Sequence, residues 1–267
     1  MTKDKLKIVV SDIDGTLIND KDELPTNFIE MVDKLNDLGI IFAAASGRGV
    51  ESIKHKLSYQ SDNLYILSDN GAMITKGDDL IHVNSFSRED YLDLVDMFQA
   101  FDDITIAVAT PTTSYVTIPH PDIDLSFLDE YYHVYEIVDD LRDCHGDFVS
   151  FSVHCQSGSQ AKYDSKIIQD RLDRHSIVVS GEKWIDAIPP NTNKGTTLKH
   201  LIESLNIKQE ETIAFGDYNN DIEMLDFAYR GYAMNDATDD VKAVADEVIG
   251  SNNDNSVIRK IYEILEV

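Results

Sequence analysis

The chain is poor in several things, and each shortage removes a class of function. Only two of its 267 residues are cysteine, Cys144 and Cys155. A disulfide framework is therefore excluded as an expectation, and the two read as reduced thiols. The eight histidines never stand as HxH or HxxxH, and no Cys/His spacing suggests zinc. Long apolar runs are missing too. "IIFAAA" at 40–45 falls far short of the roughly 20 residues that span a bilayer. The opening "MTKDKLKIVV" has neither the apolar stretch nor the small-residue cleavage site of a secretory signal, so a cytoplasmic protein is expected. Basic residues are few, 23 against 49 acidic ones, for a formal charge of −26. Such a chain repels nucleic acid and anionic membranes, and neither is expected as a partner. An anionic substrate would have to be drawn in by a local cation.

What is present is a soluble globular mix, 42% hydrophobic and 27% charged, long enough for one large domain or two ordinary ones. The first third alternates. "KIVVSD" (7–12), "IIFAAAS" (40–46) and "LYILSD" (64–69) read as strands. Between them "LPTNFIEMVDKLNDLG" (24–39) and "RGVESIKHKLS" (48–58) read as helices. The first of these has Phe28, Met31, Val32, Leu35 and Leu38 at helical spacing and Gly39 as its stop. Buried strands separated by amphipathic helices imply a parallel sheet covered on both faces.

The middle differs. "AMITKGDDLIHVN" (72–84) reads as a hairpin turning on Gly77, Asp78 and Asp79. A helix at about 88–101 precedes the strands "ITIAVAT", "SYVTI" and "FVSFSVHC". A helix over 165–175 and the strands "SIVVSG" and "KWIDAI" follow. This suggests an inserted α+β unit with an antiparallel sheet, placed at 84–187. The α/β rhythm resumes with a helix over 193–207, the strand "ETIAFGD" and the helical "NNDIEMLDFA". The strand "GYAMN", a helix at "DDVKAVA" and a closing amphipathic helix complete it. The expected organisation is α/β, a Rossmann-like parallel core from 1–83 and 188–267, interrupted by 84–187.

Chemistry gathers at strand ends, where open α/β sheets bind ligands. In "VVSDIDGTLI" two acids, Asp12 and Asp14, close a buried strand. Two carboxylates at 4 Å repel by roughly 4 kcal/mol at an effective dielectric near 20. "Ser46-Gly47-Arg48" offers a hydroxyl and a glycine amide before a helix, either an anion site or an ordinary cap by Ser46. "Asn193-Lys194-Gly195" puts a lysine into a first helical turn, where the dipole favours acids. "Gly216-Asp217-Tyr218-Asn219-Asn220-Asp221" places two acids four apart after another strand. Acids without histidine or cysteine make a hard-oxygen site suited to Mg²⁺, which would neutralise them.

These four segments resemble the motifs of the haloacid dehalogenase superfamily: "DIDGTL", "ASGR", "NKG" and "GDYNND", in order. "SDNGA" at 68–72, "DIEML" and "AMNDATDDVKAVADEV" are similar to its Cof-type branch. The resemblance covers essentially the whole chain. It implies a cap inserted between the second and third motifs. It also implies that Asp12 is the nucleophile and Asp14 the general acid/base. Ser46 and Lys194 match phosphate-binding positions, Gly47 accompanies Ser46, and Asn220 matches a position near the phosphoryl group. Asp12, Asp217, Asp221 and the Asp14 backbone carbonyl match the Mg²⁺ site. At Ser256 relatives often have glycine, which leaves these assignments intact. The implied activity is Mg²⁺-dependent hydrolysis of small phosphorylated metabolites, such as sugar phosphates, through an aspartyl phosphate. A phosphomutase of the same superfamily is the alternative. A non-enzymatic receiver domain is shorter and carries its phospho-acceptor on an interior strand. The cap is expected to select the substrate, with Tyr115, His120, His133, His154 and Trp184 as possible contacts, and a monomer or homodimer is expected.

Overall fold

A computed structural model describes residues 5–59, 61, 63–118, 128, 131–132 and 134–266. The chain divides into two compact units, Met1–Ile81 with Asn193–Val267, and His82–Thr192.

The first unit is built on one sheet. Its strands are β1 (Ile8–Asp12), β2 (Ile41–Ala45), β3 (Tyr65–Ser68), β4 (Met73–Lys76), β5 (Asp79–Val83, which runs past the unit's boundary at Ile81), β12 (Thr212–Gly216), β13 (Arg230–Ala233) and β14 (Glu247–Val248). Their order is β14-β13-β12-β1-β2-β3-β4-β5. From β14 to β3 all neighbours run parallel, and β4 returns antiparallel to β3. β1 is buried throughout, between β2 on one side and β12 on the other. The chain progresses outward from β1 in one direction through β2 and β3, and in the other from β12 through β13. That reversal is a topological switch point, and ligand crevices in such sheets open at the strands' carboxyl ends. Asp12, Ala45 and Gly216 end the three central strands there.

The helix Phe28–Asp37 buries Phe28, Met31, Val32 and Leu35 against this sheet. Leu38 is not part of that stripe and is 45% exposed. It is the C-cap residue, one position past the end of the helix, and Gly39 turns the chain away at φ 68°. The other helices of this unit include Val50–Leu57, Lys194–Ser204, Ile222–Phe227, Asp239–Val244 and Ser256–Leu265. β14 has no counterpart among the expected strands, because two exposed residues carry no period.

The second unit has a sheet of order β10-β11-β9-β6-β7-β8. Its strands are β6 (Ile104–Ala109), β7 (Ser114–Thr117), β8 (Tyr135–Ile137), β9 (Ser150–Cys155), β10 (Ser176–Gly181) and β11 (Trp184–Ile188). Phe151, Val153 and Cys155 of β9 join the helix Arg88–Phe98 in one apolar core, where Tyr91 stacks on Phe148 at 3.8 Å. Two expectations are corrected here. The sheet is not wholly antiparallel, because β8 pairs parallel to β7. Residues 118–134 separate the two, a crossover-length connection rather than a hairpin turn. The expected helix over 165–175 is confined to Lys166–Gln169. Only Ile168 is fully buried there, and a short helix without a broad apolar face gains little from packing. Among the described residues, no helix is long and apolar enough to cross a membrane.

Candidate active site

The carboxyl ends of β1 and β12 and the start of the helix Lys194–Ser204 bring three carboxylates and a lysine together in the first unit. Asp12 ends β1 and is 6% exposed. Beyond it the chain coils tightly, with the N–H groups of Leu17 and Ile18 both donating to the Ile13 carbonyl at 3.0 and 2.9 Å. Gly15, at φ 78°, permits this coil.

The "NKG" triplet divides its work. Asn193 caps the helix Lys194–Ser204: its side chain accepts the Thr196 N–H at 2.7 Å, and the Thr196 hydroxyl accepts the Asn193 N–H at 3.1 Å. Lys194 is therefore fixed in the first turn, with its side chain directed inward. Its Nζ donates to Asp12 Oδ1 and Asp221 Oδ1, both at 2.6 Å, and it is 1% exposed. Gly195 lets this helix approach Ile222–Phe227, since a Cβ there would lie 2.4 Å from the Glu223 carbonyl oxygen.

The loop after β12 folds onto Asp221. Its Oδ2 accepts the N–H groups of Asp217 and Tyr218 at 3.0 and 3.1 Å, and Asp221 is fully buried. Thr16 donates its hydroxyl to Asp217 Oδ1 at 2.7 Å, tying the first motif to the fourth. Ligand oxygens of Asp12, Asp217 and Asp221 all lie within 4.8 Å of one another.

The electrostatics record the crowding. Burial, then Asp221, push the Asp12 carboxyl well above the ordinary carboxylate range; Lys194 opposes them and Asp217 adds to them. Burial raises Asp217 to about 6, against the Thr16 hydrogen bond and with help from Asp221. Burial would lower Lys194, but Asp12 and Asp221 outweigh it and hold its ammonium above the usual lysine range. Three carboxylates against one ammonium leave excess negative charge, and the donor set is all oxygen. These residues fit a hard divalent cation in charge and in chemistry.

Asp14 lies apart from this cluster and is half exposed. Arg48 donates to it through Nε at 2.8 Å and Nη2 at 3.2 Å, and Lys56 Nζ stands 3.6 Å away. The sequence identifies neither cation as its partner, because nothing in the spacing of Asp14, Arg48 and Lys56 announces a contact across loops.

Ser46 is 2% exposed, and its hydroxyl accepts the Arg48 N–H at 3.2 Å. It does not cap the following helix, whose N-cap is Gly49. Asn220 and Gly47 are brought together by Asn70, a residue of the "SDNGA" segment. Asn70 accepts from Asn220 Nδ2 at 2.9 Å, and a Cβ on Gly47 would lie 3.1 Å from the same Asn70 oxygen. Asp69 and Asn70 both adopt left-handed backbone, φ 52° and 55°. Their N–H groups donate to the carbonyls of Arg48 at 2.9 Å and Ser46 at 3.1 Å. Consecutive Asp-Asn-Gly is the signal that could have found this turn, since these residues tolerate that conformation best.

Of the possible cap contacts, Tyr115 packs on the apolar core, at 6.4 Å from Phe148. His154 and Trp184 are cross-strand neighbours with ring centroids 5.0 Å apart. His120 and His133 lie outside the described residues.

Gly15 provides a test of the geometry. A Cβ there would stand 2.5 Å from Asp217 Oδ2, in a backbone region that costs an L-residue about 1–2 kcal/mol. Gly15→Ala is expected to displace Asp217 and weaken metal affinity on the order of tenfold or more. A Mg²⁺ titration of activity that matches wild type would show that Asp217 does not depend on this close approach.

Comparison with known proteins identifies a family. A family model described as haloacid dehalogenase-like hydrolase matches residues 9–261. The 5-amino-6-(5-phospho-D-ribitylamino)uracil phosphatase YbjI of Escherichia coli is 25% identical over 263 residues, covering 98% of this chain and 97% of that protein. YitU of Bacillus subtilis, a phosphatase of the same name, is 27% identical over 278 residues, covering 96% of each. Among solved structures, a protein from Eubacterium rectale superposes with a TM-score of 0.87 at 24% identity, covering 98% of this chain and 100% of that one.

Proposed function

The chain belongs to the haloacid dehalogenase-like hydrolases and is a phosphatase, and from this premise we propose how its own residues act. The observation that carries the reading is the buried Lys194 ammonium bridging Asp12 and Asp221 beside Asp217. A carboxylate is a poor nucleophile towards an anionic phosphate monoester unless charge is offset nearby.

Asp12 attacks phosphorus in line, forming an aspartyl phosphate as the ester P–O bond breaks. Asp14 gives its proton to the departing alkoxide. It then takes a proton from the water that attacks phosphorus, and the P–O bond to Asp12 breaks to release inorganic phosphate. Lys194 stabilises charge on the transferring group, while Ser46, the Gly47 amide and Asn220 orient it. Asp12, Asp217, Asp221 and the Asp14 carbonyl would hold Mg²⁺, which supplies charge stabilisation at the phosphoryl oxygens.

The substrate is a small phosphorylated metabolite, a sugar phosphate or a similar ester. Support comes from relatives named for a phosphate on a ribityl chain. The inserted unit, the expected cap, would select the leaving group, because the core motifs account only for phosphate and metal.

With a panel of phosphorylated metabolites and Mg²⁺, the expected product is inorganic phosphate, and activity should vanish in chelator and return with Mg²⁺. Undiminished turnover in metal-free protein would remove the metal from the reading. An isomeric phosphate as sole product would replace hydrolysis by a mutase reaction.

A further inference from the structure

The segment "SNNDNS" at 251–256 has no part in the site described above. Its contacts give it one. Asn252 is 4% exposed, and its Nδ2 donates to the Ile18 carbonyl and to Asp20 Oδ1, both at 3.0 Å. Asn253 Nδ2 donates to Asp20 Oδ2 at 2.9 Å, while its own Oδ1 accepts the Asp20 N–H at 3.2 Å. Asp20 is thus held at both carboxylate oxygens and at its backbone, and these amides lower its carboxyl from the ordinary value.

Ile18 closes the coil that begins at Ile13, and Asp14 lies inside it, bridged to Ile18. The partners of Asp20 and Ile18 therefore set where that coil ends. Their own position is firm. The Ser251 hydroxyl and the Asn253 N–H both donate to Asn252 Oδ1, at 3.1 and 3.0 Å. The next helix buries Val257, Ile258, Ile261 and Leu265 in the sheet's core. On the opposite flank Lys56 binds Asp22 and stands beside Asp14. The loop carrying Asp14 is fastened on two sides, by the last loop of the chain and by the helix Val50–Leu57.

We propose that Asn252 and Asn253, acting through Asp20 and the Ile18 carbonyl, are positioning residues for Asp14. The inference rests on the reading of Asp14 as the general acid/base. The Asp14 side chain is itself half exposed, so its angle depends on its cation partners and on where the coil ends, and a misplacement of 1 Å can cost about a hundredfold in rate. Asp20 is at the surface, so its removal should leave the fold intact while freeing the coil.

The test uses the full chain, Mg²⁺ and an aryl phosphate, comparing Asp20→Ala and Asn252→Ala with Asp14→Asn. An aryl leaving group needs little acid help, so loss of Asp14 alignment should slow hydrolysis of the phosphoenzyme more than its formation. Both positioning variants are expected to lose about ten- to a hundredfold in kcat, with KM and Mg²⁺ midpoint within twofold of wild type, and to accumulate phosphoenzyme. Asp20→Asn, which keeps one acceptor oxygen, should recover part of the loss. If Asp14→Asn accumulates phosphoenzyme and Asp20→Ala turns over like wild type, the positioning role is overturned while the reading of Asp14 stands. If Asp14→Asn accumulates none, that reading fails, and this inference with it.

Discussion

Asp12→Asn is expected never to carry a phosphoryl group, whereas Asp14→Asn is expected to trap one. The two residues stand two apart but in different surroundings. Asp12 is buried against the Lys194 ammonium, and Asp14 lies half exposed on Arg48. An amide in place of Asp12 keeps the shape and removes the nucleophilic oxygen, so turnover should fall at least about 10⁴-fold. An amide in place of Asp14 keeps the nucleophile and removes the proton transfer, at a cost of about 10² to 10⁴. With an aryl phosphate the first step survives and the second stalls. Intact-protein mass spectrometry after acid quench would resolve the added phosphoryl mass. Labelling of Asp12→Asn at wild-type levels would mean that another residue is the nucleophile.

Lys194→Met should damage both the reaction and the fold, and Mg²⁺ should repair only the second. Removing one partner of a buried ion pair costs about 3–5 kcal/mol, because the remaining charge is left unpaired in the interior. Here one ammonium serves two buried carboxylates. In chelator the variant should melt roughly 6–20 °C below wild type. A divalent cation among Asp12, Asp217 and Asp221 would restore much of that difference. Turnover would not recover, since a cation aimed at the transferring phosphoryl group is worth about 10² to 10³ in rate. Differential scanning calorimetry with and without Mg²⁺ decides the matter. Equal melting of variant and wild type in chelator would show that the bridge contributes nothing to stability.

Much of this site is legible in the amino-acid sequence, because strand ends leave a plain record. A run such as "IVVSD" marks a buried strand that ends in an acid, and β12 ends at Gly216, one residue before Asp217. Lys194 stands out by its misfit with the helix dipole, and the misfit is resolved by two carboxylates that the same helix places within reach. Contacts between loops remote in sequence are not legible in this way. Arg48 on Asp14, Asn70 between Gly47 and Asn220, and Asn252 on Ile18 obey no period, so pattern reading has nothing to measure. The segment 165–175 misleads for the opposite reason. It has good helix formers but little apolar surface to bury, and propensity yields where packing is thin.

The bond between Lys194 and Asp12 spans 182 residues, and β1 meets β12 across a similar gap. On a ribosome adding about 5–20 residues per second, Asp12 emerges roughly 10 to 40 s before its ammonium does. During that interval the central strand has only β2 for a neighbour, and its other edge is bare. Such edges pair readily with foreign strands. The inserted unit, with an apolar core of its own, is synthesised entirely within the interval. Catalytic competence therefore arrives last, with the carboxyl-terminal third of the chain. The nascent chain therefore carries one bare edge on its central strand until the residues that complete its charge cluster arrive.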